Sequence, residues 1–166
     1  MQRLILLRHG KAESVAASGG DFERGLTERG RRDAALMGQV LAEAGFVPDL
    51  AVVSPARRAK ETWEAAAPAF PGARCSHSRL LYLASAEQLA QTAAEAADPV
   101  HCLIIVGHNP GLHEFAMALC LQQGAGDAGL LSTFPTAAAA VFAIDAAGRA
   151  RLERLMLPRD FGGGAG

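Results

Sequence analysis

Three short stretches gather the residues that can do chemistry: Arg8-His9-Gly10, Ser54-Pro55-Ala56-Arg57-Arg58 and Gly107-His108-Asn109-Pro110. Each follows an apolar run of strand length, Leu4 to Leu7, Leu50 to Val53 and Leu103 to Val106, and each opens a helical pattern. In open α/β sheets that carboxyl edge is where ligands bind. Helix amino termini there present unpaired N–H groups and the positive end of a dipole. Two arginines and two histidines added to the same edge make an oxyanion or phosphate the natural guest. Any one of these residues alone reads as a salt-bridge partner or a packed histidine. Their coincidence at one edge is what sets them apart.

Two rival chemistries fare worse. His108 and His113 are five residues apart, about 140° around a helix, and cannot reach one ion from the same face. With no HxxxH pair, acidic cluster or paired cysteines, no metal is expected. Neither GxGxxG nor GxxxxGK[ST] follows the first strand, so nucleotide binding by those routes is disfavoured and no cofactor is expected.

Strands alternating with helices must position these groups. A helix is expected over Thr27 to Ala44, where Leu36, Met37, Val40, Leu41 and Ala44 recur at three- and four-residue spacing before Gly45. A second should start with Ser54 as cap and Pro55 at the first position and run to about Ala67. Ser85 should cap another over Ser85 to Ala97. Asn109 and Pro110 should open a fourth, with Leu112, Phe115, Ala116 and Leu119 inward. Ala138 to Ile144 and Arg151 to Leu157 flank the turn Asp145-Ala146-Ala147-Gly148 as a hairpin. The expectation is α/β: a single three-layer α/β/α domain over residues 1–160, its sheet mostly parallel with an antiparallel edge strand near the C-terminus. Residues 161–166 read as a flexible glycine-rich tail.

At 166 residues the chain is the size of one ordinary domain. Sixteen basic and seventeen acidic residues give a formal charge of −1, so no global field favours nucleic acid or an anionic membrane. Leu4 to Leu7 is too short for a signal-peptide core or a membrane helix, which points to the cytoplasm. Cys75, Cys102 and Cys120 lack any CxxC pairing and read as buried thiols. A monomer is expected.

Four ordered motifs make the chain recognisable: LLRHG at the first strand end, LTERG opening the first helix, Ser54-Pro55-Ala56-Arg57-Arg58-Ala59-Lys60-Glu61-Thr62, and GHNPG at Gly107 to Gly111. Together they resemble the histidine phosphatase superfamily, and the short chain is similar to its SixA-type phosphohistidine phosphatases. The resemblance implies that His9 is the nucleophile that becomes phosphorylated, with Arg8, Arg58 and His108 holding phosphoryl oxygens. Arg58 rather than Arg57 fits the motif, since alanine follows it and Thr62 lies four residues on. Asp21 and Arg24, in Asp21-Phe22-Glu23-Arg24, match an aspartate and an arginine near the site mouth of the SixA type.

A histidine attacks phosphorus only as neutral imidazole, and neighbouring Arg8 and Arg58 should lower its pKa. The expected reaction is metal-independent and has two steps: phosphoryl transfer to His9, then hydrolysis. The proton donor to the leaving group is the open question. Related enzymes supply a glutamate from an insertion, whereas only residues 63–100 separate Thr62 from His101 here. Glu87 and Asp21 are the candidates, Glu87 having the alternative reading of a charge that complements its helix dipole. Phosphoimidazole leaves after protonation of its own ring, so this gap favours phosphohistidine in a protein, such as a histidine phosphotransfer or phosphocarrier protein. The alternatives are a general small-molecule phosphomonoesterase and a non-catalytic phosphohistidine-binding module. Lys11, Glu13, and Thr133 or Thr136 are further residues that could approach the pocket.

Overall fold

The computed structural model describes residues 1–96, 99–122, 124 and 128–164. Strands β1 (Arg3–Arg8), β2 (Leu50–Val53), β3 (Arg74–His77), β4 (Cys102–Gly107), β5 (Ala139–Ile144) and β6 (Ala150–Met156) form one sheet in the order β3-β2-β4-β1-β5-β6. The first four are mutually parallel; β5 runs antiparallel to β1, and β6 antiparallel to β5. The expected α/β domain with a mostly parallel sheet is what forms. Its antiparallel strand, β5, sits one place in from the edge because the hairpin adds β6 outside it.

Alternate residues of β1 point into two cores. Leu4 and Leu6 pack with Leu103 and Ile105 beneath α3 (Ala86–Glu95) and α4 (Gly111–Leu121). Ile5 and Leu7 pack with Ile104 and Val106 beneath α1 (Glu28–Glu43) and α2 (Arg57–Ala66). Three layers result. Each of these four β1 side chains is at most 2% exposed, worth about 2 kcal/mol apiece on burial as an upper figure.

Register then delivers the polar residues. Arg8 pairs with Gly107 and Val53 with Val106, so the residues that follow leave the sheet at one level. His9 N donates to Gly107 O at 3.0 Å, and Ser54 N to Val106 O at 3.0 Å.

Several boundaries differ from the sequence reading. Ser54 is not the cap of α2, which starts at Arg57: its backbone continues the strand pairing and its hydroxyl meets the His108 ring at 2.7 Å. Asn109 does not cap α4, which starts at Gly111; its Nδ2 donates instead to Phe134 O at 2.8 Å, and the Asn109–Pro110 bond is cis. Ser85 does cap α3, through a capping box with Gln88, while the expected end at Ala97 lies outside the described residues. Helix α5 (Ala128–Ser132) was not foreseen. Cys102 and Cys120 are buried, but Cys75 is exposed because it lies on β3, an edge strand with no covered face. Of the expected tail, Gly164 N donates to Asp33 Oδ1 at 2.9 Å, which returns the chain end to α1; residues 165–166 lie outside the described ones.

The loop after β1 is held against the start of α1. Thr27, the N-cap, accepts from Gly30 N at 3.0 Å and donates its hydroxyl to Lys11 O at 3.1 Å. A Cβ on Gly10 would lie 2.6 Å from Gly30 O, and one on Gly30 would overlap the Lys11 carbonyl oxygen. The glycines of RHG and LTERG are thus two sides of one backbone contact. Gly30→Ala should cost about 1–3 kcal/mol through overpacking. Thermal unfolding checks this, and an unchanged Tm would contradict it.

Candidate active site

A cavity of about 380 Å³ opens at the carboxyl edge of the sheet, lined by Arg8, His9, Arg58 and His108 with Asp21 and Arg24 toward the mouth. Lys11, Asn109 and Thr136 also line it. Thr133, Glu13 and Glu87 do not; Glu87 is an exposed residue in the first turn of α3. A larger concavity of about 550 Å³ lies near the start of β1, between α3, α4 and the hairpin turn. Its walls are mainly apolar and include no arginine or histidine, so it offers no anion chemistry.

The His9 ring is oriented by its own loop. Nδ1 lies 2.8 Å from Gly10 O, and a carbonyl only accepts, so Nδ1 carries the proton and Nε2 keeps the lone pair. Gly10 N donates to Thr62 Oγ1 at 2.9 Å, and that hydroxyl donates to Arg58 O at 2.7 Å. Thr62 therefore ties the histidine loop to the helix that carries the arginine. Burial, aided by Arg58, Arg8 and Arg24 and opposed by the Gly10 carbonyl, brings the His9 pKa down to about 4. Burial, with His9 and Arg58 as neighbours, brings His108 to about 3. Both rings are neutral at pH 7.

Arg58 is only 2% exposed, yet its charge is compensated. Its NH1 donates to Asp21 O at 2.8 Å and its NH2 to Asp21 Oδ2 at 3.1 Å. Asp21, in a 3₁₀ turn (Asp21–Glu23), also accepts from Tyr82 Oη at 2.6 Å and Arg24 Nε at 3.0 Å. The Tyr82 hydroxyl and the Arg24 guanidinium hold its carboxyl well below the usual range. The lowered pKa favours the ionised form of Asp21 at neutral pH, the form that pairs with Arg58. Arg8 NH1 donates to Phe134 O at 3.0 Å, sharing that carbonyl with Asn109.

Among the described residues, four buried polar atoms of the cavity walls have no partner: the nitrogens Arg8 Nε, Arg58 Nε and His108 Nδ1, and the amide oxygen Asn109 Oδ1. Buried polar groups are rarely left unpaired, and the two arginine N–H groups call for an acceptor at this cavity, while the amide oxygen calls for a donor. Among the described residues that line the cavity, four cationic side chains, Arg8, Lys11, Arg24 and Arg58, stand against one carboxylate, that of Asp21. The arrangement can hold a tetrahedral oxyanion and present a neutral imidazole to it.

Sequence reasoning missed Tyr82, whose ring meets His108 edge-on at 5.7 Å between centroids. No local signal marks it, since it lies 61 residues from the carboxylate it serves. The role of Ser54 was hidden by its resemblance to a helix cap.

The model of the histidine phosphatase superfamily (branch 1) matches residues 4–81. An uncharacterised chloroplastic protein of Arabidopsis thaliana is 30% identical over 170 residues, covering 95% of this chain and 78% of its own. The crystal structure of a candidate phosphohistidine phosphatase SixA from Agrobacterium tumefaciens superposes with a TM-score of 0.84 at 33% identity, covering 95% of this chain and 98% of that one. A protein histidine phosphatase SixA complexed with tungstate shares the fold, with a TM-score of 0.80 at 24% identity over 95% and 98% of the two chains. Fold and sequence thus define a phosphatase, a hydrolase of phosphoryl groups. The chain belongs to the histidine phosphatase superfamily and is of the SixA type. No helix among the described residues is long and apolar enough to cross a membrane.

The lowered histidine pKa values set a pH dependence. Above about 6.5 both rings are neutral, folded or unfolded. As pH falls below that, the unfolded chain takes up protons that the folded site refuses until about 4 and 3, so stability is lost across this window. The Tm should therefore drop between pH 6.5 and 4, and less steeply in a His9→Asn/His108→Gln variant. Equal slopes would show that these rings are not buried neutral.

Proposed function

We propose that the protein dephosphorylates phosphohistidine on another protein, through a phosphohistidine intermediate on its own His9 and without a metal ion. The observation that carries this reading is the set of orphaned buried nitrogens around a neutral histidine whose Nε2 holds a free lone pair. In the first step His9 Nε2 bonds to phosphorus, and the P–N bond to the substrate imidazole breaks. That electron pair goes to a ring already protonated on its other nitrogen, which leaves as neutral imidazole. Water then attacks the phosphorus, the P–Nε2 bond breaks, and phosphate and neutral His9 are restored. Charge on the equatorial oxygens falls to Arg8, Arg58 and His108, and Gly10 O holds the Nδ1 proton of His9 throughout.

The choice of leaving group is supported by the want of a poised acid among the described residues of the site. Asp21 is ionised, His9 and His108 are neutral, and Glu87 does not line the cavity. An alkyl phosphate needs a proton delivered to its leaving oxygen, whereas phosphoimidazole brings one. The region between α2 and β4 holds β3 and α3 and brings Tyr82 and Leu83 to the site, a short insertion that suits a side chain presented on a protein surface. The SixA relative from Agrobacterium tumefaciens, described as a candidate phosphohistidine phosphatase, agrees with this substrate. A histidine phosphotransfer or phosphocarrier protein is the expected partner.

Phosphate release from a phosphohistidine-bearing protein, free phosphohistidine and several alkyl phosphates tests the proposal. The phosphoprotein should be turned over fastest, chelators should leave the rate unchanged, and His9→Ala should abolish both turnover and acid-labile labelling of the enzyme. Equal or faster hydrolysis of alkyl phosphates would make the protein a general phosphomonoesterase instead. Tight binding of the phosphoprotein with no release would make it a binding module.

A further inference from the structure

We propose that Ser54 is a positioning residue that fixes the tautomer of His108, keeping its proton on Nδ1 so that the ring serves the phosphoryl cavity as a neutral donor. Ser54 is fully buried, and among the described residues its Oγ has two hydrogen-bond partners: Ala56 N, which donates to it at 3.3 Å, and His108 Nε2 at 2.7 Å. A backbone N–H can only donate, so the hydroxyl hydrogen is left for His108. If the hydroxyl donates to Nε2, the histidine proton resides on Nδ1, the orphaned nitrogen.

The other arrangement fails at both ends. With the proton on Nε2, Ser54 Oγ would accept twice and its own hydrogen would be buried without an acceptor, a cost of order 1–3 kcal/mol. Nδ1 would then offer a lone pair, an acceptor, beside a cavity whose guest is itself an acceptor. A doubly protonated ring is disfavoured by the same contact, and by Arg58, Arg8 and the burial already described.

The two active-site rings, 5.2 Å apart between centroids and tilted by 56°, thus carry opposite tautomers. His9 commits Nδ1–H to Gly10 O and frees Nε2 as nucleophile. His108 commits Nε2 to Ser54 and frees Nδ1–H as donor. Each ring is assigned its task by an oxygen on the protein side, a carbonyl in one case and a hydroxyl in the other.

The inference shares the phosphoryl site with the proposed function, but its main test needs no turnover. Nitrogen-15 NMR of the free wild-type protein at pH 7 should show His108 protonated on Nδ1 and bare on Nε2; the reverse would overturn the proposal whatever the substrate. In Ser54→Ala the Nε2–H form should become populated, and inorganic phosphate should bind more weakly. On a substrate that the wild type turns over, kcat should fall by about 10²-fold, the usual consequence of losing one transition-state donor. Ser54→Thr, which keeps the hydroxyl, should restore the Nδ1–H signature. A Ser54→Ala protein with the wild-type tautomer, phosphate affinity and kcat would refute the role. The wild-type spectrum remains decisive even if a variant fails to fold.

Discussion

The parallel pairing of β1 with β4 is the constraint on which the site depends. Opposing Arg8 to Gly107 sets His9 and His108 on neighbouring chain exits. The pairing of β2 with β4 places Ser54 beside them at the same level. A slip of one residue in either ladder would send the apolar side chains to the wrong faces of a sheet covered on both sides. The two cores that fix the register of Leu4 to Leu7 therefore also fix the position of the histidines.

Against that frame the site concentrates charge that folding alone would not favour. Arg58 is nearly inaccessible, and a buried guanidinium is costly unless it is paired. Asp21 pairs it through both carboxylate and backbone oxygen, while Tyr82 and Arg24 hold Asp21 in turn. This network leaves Arg58 Nε without a partner, as Arg8 Nε is in its own setting. Burial, aided by the surrounding cations, keeps both imidazoles neutral, a state in which one ring offers a lone pair and the other a hydrogen. Neutral histidines among arginines are thus a consequence of the same burial that orders the strands.

The apolar runs announced β1, β2 and β4, because strands buried on both faces are near-continuous stretches of Leu, Ile and Val. The edge strand β3 has no such signature: all four residues are exposed, so only pairing with β2 holds it. Ser54 and Asn109 illustrate a subtler limit. Both have the residue type of a helix cap, both precede a helix, and both spend their side chains on tertiary partners instead, His108 and Phe134 O. Local capping rules were outweighed by contacts to residues 54 and 25 positions away.

The amino-acid sequence by itself determined the layered α/β fold and the edge at which Arg8, His9, Arg58 and His108 meet, because periodicity and strand ends are local properties of the chain. Only the tertiary structure decided how those groups are protonated and held. The ionised state of Asp21, the tyrosine that secures it and the hydroxyl that faces His108 all depend on atoms far apart in sequence, brought together at one edge of the sheet, where the buried hydrogens must find acceptors.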